Sequence, residues 1–296
     1  MHRCGIVTIA GRPNVGKSTL LNYMIGTKVA IVTPKPQTTR DRITGIRTEP
    51  DVQYLFQDTP GLHKPMKALN RRMVAEAKAA ISDADVVLFM TDAASPKEAE
   101  DLDREWVALV AGTSRPVVLA LNKVDRLDPK SLLLPIMDFF SRLHHFEAII
   151  PICALTGDGV DRLLEEVKRL LPEGPALYPE ETLSDRPIRF LAAEVIREKL
   201  TLATAKEIPY SVAVTIDDFQ EPEPPEPVRI FATIHCERES QKPIVIGRGG
   251  AMLRRIGTEA RRELELLLSR HVFLKLYVKV SEDWTRTDRG LDRILM

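Results

Sequence analysis

The chain of 296 residues is short of cysteine, aromatics, long apolar runs and net charge, and each shortage narrows what it can be. Its three cysteines, Cys4, Cys153 and Cys236, are odd in number and far apart, which excludes a disulfide framework and a Cys-x-x-Cys metal or redox site. A reduced, cytosolic compartment is the expectation. With two Trp, five Tyr and nine Phe there is little material for a sheet that stacks nucleic-acid bases on Phe and Tyr. No apolar run nears the roughly 18–20 residues that cross a bilayer, the longest being pieces such as 85–90. The start, Met1-His-Arg-Cys-Gly5, enters a strand-like run with no apolar signal core, so secretion is not expected. Lys and Arg number 42, as do Asp and Glu, which at first disfavours a nucleic-acid partner.

What is present is a βα rhythm. Up to about residue 172, β-branched runs at 5–10, 53–57, 85–90, 116–121 and 148–152 alternate with helical patterns near 17–25, 68–82, 98–111, 129–143 and 160–171. That order predicts a doubly wound, mostly parallel sheet covered on both faces. A further strand at 41–48 is expected to form a hairpin with 53–57 and add an antiparallel edge. Leu171-Pro-Glu-Gly-Pro175 stops the last helix, so the domains are expected at 1–172 and 186–296, with a linker over 173–185. The second half reads as a helix at 186–203, strands at 209–216 and 228–236, an apolar turn at 243–246, a helix at 251–269 and a strand at 272–280. This is an α-β-β-α-α-β order.

Gly11-Arg12-Pro13-Asn14-Val15-Gly16-Lys17-Ser18-Thr19 contains G-x-x-x-x-G-K-[ST] between a strand and a helix, the context the motif requires. Its glycines let backbone N–H groups curl around phosphate, Lys17 adds a point charge and Ser18 offers a hydroxyl to Mg²⁺. Asn122-Lys123-Val-Asp125 follows a strand and selects guanine: the Asp125 carboxylate accepts from the ring N1–H and 2-amino group, which adenine lacks. Asn122 is expected to buttress the loop and Lys123 to lie along the purine. Asp58-Thr59-Pro60-Gly61-Leu62 is placed to hold Mg²⁺ through a water at Asp58 and to meet the γ-phosphate with the Gly61 N–H. Between these motifs lie Thr38 and Thr39, of which Thr39 is chosen as the Mg²⁺ hydroxyl. Cys153-Ala154-Leu155 offers the Ala154 N–H to the guanine carbonyl oxygen. Lys17, Thr39, Asp58 and Gly61 form the expected catalytic set.

With these residues, together with 36–41, 58–65, 209–214, 239–250 and 278–284, the chain resembles the Era family of bacterial GTPases over nearly its whole length. The resemblance implies a P-loop GTPase domain followed by an α+β type II KH domain. It further implies hydrolysis of GTP to GDP, binding to the 3′ end of small-subunit (16S) rRNA and assistance in maturing the small ribosomal subunit. Where Ras-like enzymes carry a water-orienting Gln the chain has Leu62, so slow intrinsic hydrolysis is expected. Asn14 matches the residue that potassium-activated relatives use as a K⁺ ligand. A monomer is expected, with peripheral binding to the inner membrane surface left open.

In a KH domain the loop Gly247-Arg248-Gly249-Gly250, preceded by Ile246, clamps about four single-stranded nucleotides through backbone N–H groups, with Arg248, Arg254 and Arg255 supplying cations. Leu253, Ile256, Ala260, Leu264 and Leu267 recur at helical spacing as the buried face. Trp284 is read as a packing residue and His144-His145 as a solvated pair. The competing readings are a second domain that docks a protein or membrane surface, and a KH adaptor with an inactive nucleotide pocket. The neutral total also hides a polarity: the balance is +2 over 1–172, −7 over 173–227 and +5 over 228–296, with +6 in 242–279 alone. The cationic part surrounds the G-x-x-G loop, where a phosphate backbone would lie.

Overall fold

Three strand segments of the first half are buried along their whole length, Val52–Asp58, Val86–Asp92 and Val117–Asn122, and the last two begin with five apolar residues in a row, as strands covered on both faces do. The computed structural model describes residues 2–36, 38–61, 68–94 and 96–295, the side chains of 96–100, 102 and 295 excepted. Its elements run β1 (Arg3–Ala10), α1 (Lys17–Ile25), β2 (Ile43–Glu49), β3 (Val52–Asp58), α2 (Ala68–Asp83), β4 (Val86–Asp92), α3 (Pro96–Ala111), β5 (Val117–Asn122), α4 (Leu133–Leu143), β6 (Ala148–Pro151) and α5 (Val160–Leu170). The second half adds α6 (Ile188–Ala203), β7 (Val212–Gln220), β8 (Val228–Cys236), α7 (Lys242–Ile246), α8 (Ala251–Leu268), β9 (Val272–Val280) and α9 (Asp288–Leu295).

The first sheet has the order β2-β3-β1-β4-β5-β6, with only β2 antiparallel to its neighbour. Register decides what the sheet can do. Ile9 lies opposite Asp58, Ala10 opposite Phe89 and Asp92 opposite Asn122, so the C-terminal ends of β1, β3, β4 and β5 share one edge. Strand order reverses at β1, and such a switch point at the carboxyl edge is where α/β sheets bind ligands. Beneath it Phe89, Trp106, Leu119, Phe140 and Phe146 form part of one core cluster, each side chain worth about 1.5–3 kcal/mol of burial. The helix expected at 129–143 begins instead at Leu133 after a 3₁₀ turn at Lys130–Leu132. Pro135 then falls in the first turn, where its missing N–H costs nothing.

Contacts divide the chain into two units, the second holding 186–296 together with 31–38 and 64–72, the last described from 68 on. Residues 173–185 group with the first unit: Gln53 Oε1 accepts the Leu177 and Tyr178 N–H groups at 2.7 and 3.0 Å, and Asp185 accepts that of Thr44.

The second unit packs α6 and α8 on one face of a β7-β8-β9 sheet, antiparallel then parallel. On α8, Ile256, Ala260 and Leu264 are fully buried, with Leu253 and Leu267 packed against the same clusters. β7 starts at Val212 because Pro209 sits in a 3₁₀ turn, and it runs on to Gln220 through a bulge at Asp217. Helix α9 had no sequence expectation: its eight residues are dominated by charge, yet Leu291 and Ile294 are buried. Trp284 is fully buried and donates its indole N–H to Ser211 O at 3.1 Å. Among the described residues no helix is long and apolar enough to cross a membrane.

Candidate nucleotide site and nucleic-acid interface

The turn from β1 to α1 carries Gly11 to Ser18. Gly16 sits at φ 107°, and a Cβ there would lie 2.5 Å from Asn122 Nδ2, so only glycine lets the loop close on the neighbouring motif. Asn122 Nδ2 donates to Val15 O at 2.7 Å, and Lys123 Nζ donates to Asn14 O at 2.8 Å while pairing with Asp92 Oδ2 at 2.6 Å. The guanine motif thereby braces the phosphate loop. Val15 is fully buried, Asn14 stands exposed at φ 63°, Pro13 packs against Gly61, and Thr19 lies in the first turn of α1.

Lys17 is buried and its ammonium donates to Gly11 O at 2.9 Å and Arg12 O at 3.1 Å. Burial pulls its pKa down to about 8, with Asp58 opposing that shift and Arg12 adding to it. Ser18 Oγ donates to Asp58 Oδ2 at 2.5 Å, Thr39 Oγ1 donates to the same oxygen at 3.0 Å, and the two hydroxyls are 3.1 Å apart. Asp58 is fully buried; burial raises its pKa against the pull of Lys17, Ser18 and Thr39, and among the described residues its Oδ1 has no hydrogen-bond partner. Three oxygens converge where one carboxylate oxygen is orphaned in the interior, and such a hard-oxygen set fits Mg²⁺. Thr38 is engaged elsewhere, its hydroxyl bonding Thr33 at 2.6 Å and Lys35 O at 2.7 Å. Thr59 Oγ1 donates to Ile9 O at 2.9 Å, and Pro60 and Gly61 follow it, buried. Leu62 lies outside the described residues.

Asp125 is exposed after β5, free to face a base. The Ala154 N–H, expected to meet the guanine oxygen, donates to Asn122 Oδ1 at 2.8 Å, because the loop Cys153–Asp158 closes on itself through Cys153 N to Asp158 O and Gly157 N to Cys153 O. Cys153 is buried and Leu155 is exposed. Sequence reasoning passed over Asp103, which accepts from Arg12 Nε at 3.1 Å and Thr91 Oγ1 at 2.7 Å. The signal was there: Asp103 shares a helix face with Trp106, Val107 and Val110, a carboxylate on an apolar stripe.

In the second unit, α7 and α8 flank Gly247–Gly250, with Arg248 and Gly249 exposed and Ile246 half-buried at the end of α7. A groove of about 480 Å³ runs between α8 and β9, lined among others by Gly250, Leu253, Arg254, Gly257 and Arg261. Arg255 stands on the adjoining flank and pairs with Glu259 at 2.9 Å. Also missed were the buried charges of α6. Arg197, gripped by Glu194 at 2.6 Å, donates to Thr38 O at 2.5 Å, Glu198 Oε1 accepts the Val32 N–H at 2.9 Å, and Lys35 Nζ donates to Thr201 O and Thr204 O.

Two family models match, one described as 50S ribosome-binding GTPase over residues 6–123 and one as KH domain over residues 207–285. GTPase Era of Syntrophus aciditrophicus is 49% identical over 98% of this chain and 94% of its own length, and GTPase Era of Geobacter metallireducens is 48% identical over 99% and 97%. Among solved structures, Era in complex with MgGDPNP and nucleotides 1506–1542 of 16S ribosomal RNA superposes with a TM-score of 0.92 at 41% identity, covering 99% of both chains. A variant of Aquifex aeolicus Era bound to GDP and AlF4⁻ matches equally at 0.92 and 41%, covering 99% of this chain and 98% of its own.

Proposed function

The chain belongs to the Era family of GTPases, and from that premise we propose that it is a GTP-driven switch that binds the 3′ end of 16S rRNA and assists assembly and maturation of the small ribosomal subunit. The observation that carries the switch is the meeting of Ser18, Thr39 and Asp58 oxygens, with Thr39 directly following the stretch 31–38 that groups with the second unit. In this reading Ser18 and Thr39 would hold Mg²⁺ directly and Asp58 through water, an ion that would supply positive charge to the β- and γ-phosphates. Lys17 exchanges its loop carbonyls for phosphate oxygens, the Gly61 N–H meets the γ-phosphate, and Asp125 accepts from guanine. On hydrolysis the γ-phosphate contacts are lost, and Thr39 with its flanking stretch is released.

The test is the affinity of an rRNA 3′-end oligonucleotide for the GTP-analogue, GDP and empty states. A state-dependent affinity is expected; equal affinity in all three removes the switch. Potassium activation is part of the proposal and rests on Asn14, whose place in the phosphate loop matches that of the Asn which potassium-activated relatives use as an ion ligand. Equal turnover in KCl and NaCl would dismiss it. A monomeric, cytoplasmic protein with a peripheral membrane fraction completes the reading, supported by the exposed arginines of α8, which suit anionic headgroups as well as RNA. Flotation with anionic vesicles tests that fraction.

A further inference from the structure

We propose that the open face of the β7-β8-β9 sheet is a second nucleic-acid platform. On it, bases of the single-stranded RNA flanking the loop-bound segment stack on Phe273 and Tyr277, while Lys275 and Lys279 meet its phosphates. The proposal rests on the RNA reading of the G-x-x-G loop and extends it to a surface that reading does not need.

Alternation along the strands separates two faces. Ile230, Ala232 and Ile234 point into the core clusters beneath α6 and α8. The register puts Arg229, Phe231, Thr233 and His235 on the other face, each beside one residue of the row Phe273, Lys275, Tyr277 and Lys279. Along β9 ring and cation therefore alternate, neighbours about 6.6 Å and like groups about 13 Å apart. Phe273 is 49% and Tyr277 44% exposed, although a soluble domain normally covers such rings. They are held rather than loose: Phe231 and Phe273 centroids are 6.0 Å apart, and Lys275 Nζ lies 5.2 Å from the Tyr277 ring.

Two observations select RNA as the occupant. The first is charge. On the β7 side of this face Asp218 lies opposite Phe231 and Asp217 accepts from Thr233 Oγ1 at 2.6 Å, and α9 packs against β7, so a phosphate chain is steered away from β7 toward Lys275 and Lys279 of β9. The second is continuity, since Phe273 and Lys275 also border the α8 groove, and the platform begins where the groove ends. The scarcity of aromatics pointed away from base stacking on a sheet, but a whole-chain count does not show that three rings share one face.

The full chain is tested by anisotropy competition with two 3′-end oligonucleotides, one of about six nucleotides that fills the loop groove and one extended by about six more. Extension is expected to tighten binding about tenfold or more. Tyr277→Ala with Lys279→Ala, both exposed and neither bordering the groove, should leave the short oligonucleotide unchanged and abolish the gain from extension. Tyr277→Phe should keep the gain. An undiminished gain in the double variant overturns the platform. Gly249→Asp separates the two readings: if that variant binds both oligonucleotides like wild type, the loop itself does not hold RNA. Loss of sedimentation with phosphatidylglycerol vesicles in the double variant, with the RNA length gain kept, would assign the face to lipid and overturn the proposal too.

Discussion

In the first unit the groups that would meet phosphate and its metal ion are buried or half-buried and bonded to one another, Lys17 to loop carbonyls and Ser18 and Thr39 to the buried Asp58. In the second the cations stand in solvent: Arg248, Arg254, Arg261, Lys275 and Lys279 are all exposed. The same Coulomb attraction acts in both, but the effective dielectric differs several-fold. A buried site holds one small anion in one pose, and its energies resist salt. An exposed cationic face binds a long polyanion in sum, each contact weak and each released by salt. The difference teaches why the chain needs both: one site discriminates chemistry, the other accumulates contacts.

The strongest way to break the comparison is Lys17→Ala. Phosphate release should fall by about 10²–10³-fold. Affinity of the empty protein for the 3′-end oligonucleotide should stay within about twofold, and a parallel loss there would show that the two sites are not separable. Next in size is Asp125→Asn. The exposed side chain can change without disturbing the core, yet preference should move by about 100-fold from GTP toward the xanthine nucleotide, whose C2 carbonyl accepts where guanine donates. Filter binding of both nucleotides decides this, and an unchanged GTP preference refutes the base assignment.

What could be read from the sequence follows the same division. A buried phosphate site has to be built from residues close together on one loop, so Gly11–Ser18, Asp58–Gly61 and Asn122–Asp125 stand as contiguous strings, and the parallel register that joins them follows from strands alternating with helices. Partners reached through tertiary packing left fainter marks. Asp103 and the α6 charges Glu194, Arg197 and Glu198 look like ordinary helix surface until the opposing element is known. Ala154 stands in a loop after β6, and its N–H is turned toward Asn122, 32 positions away. The platform on β9 was hidden for another reason: its rings are spread over 231–277 and meet only through strand pairing.

Smaller in effect is Gly249→Asp. Gly249 has φ 57° and nothing within 4 Å of an added Cβ, and Asp tolerates that left-handed conformation better than most residues. The fold should therefore survive, with a melting temperature within a few degrees of wild type and unchanged basal GTP turnover. RNA affinity should fall about tenfold as a carboxylate meets the phosphates. A collapse in melting temperature would mean that the loop is structural, and the contrast between buried and exposed phosphate sites would lose its second term.

The finest test lies inside the first unit, at the ion pair between Arg12 and Asp103. Burial holds the Asp103 carboxyl above its ordinary pKa even though Thr91 and Arg12 pull it down. A carboxyl raised in this way binds a proton more readily in the folded chain than in the unfolded one. Stability is therefore lost as pH rises from the ordinary carboxylate range through the folded value, and that cost is fully present above it. Pairing does not return all that desolvation takes, as is common for buried ion pairs. Asp103→Asn should consequently leave the melting temperature at pH 7 equal or slightly higher and flatten its acid-side pH slope. Nucleotide affinity should still fall about two- to fivefold. Arg12, whose Nη2 is already buried without a hydrogen-bond partner among the described residues, would lose the charge that fixes the second residue of the phosphate loop. A drop of several degrees would make the pair a net stabiliser, and the buried site would then owe its order to stability rather than to the positioning of phosphate.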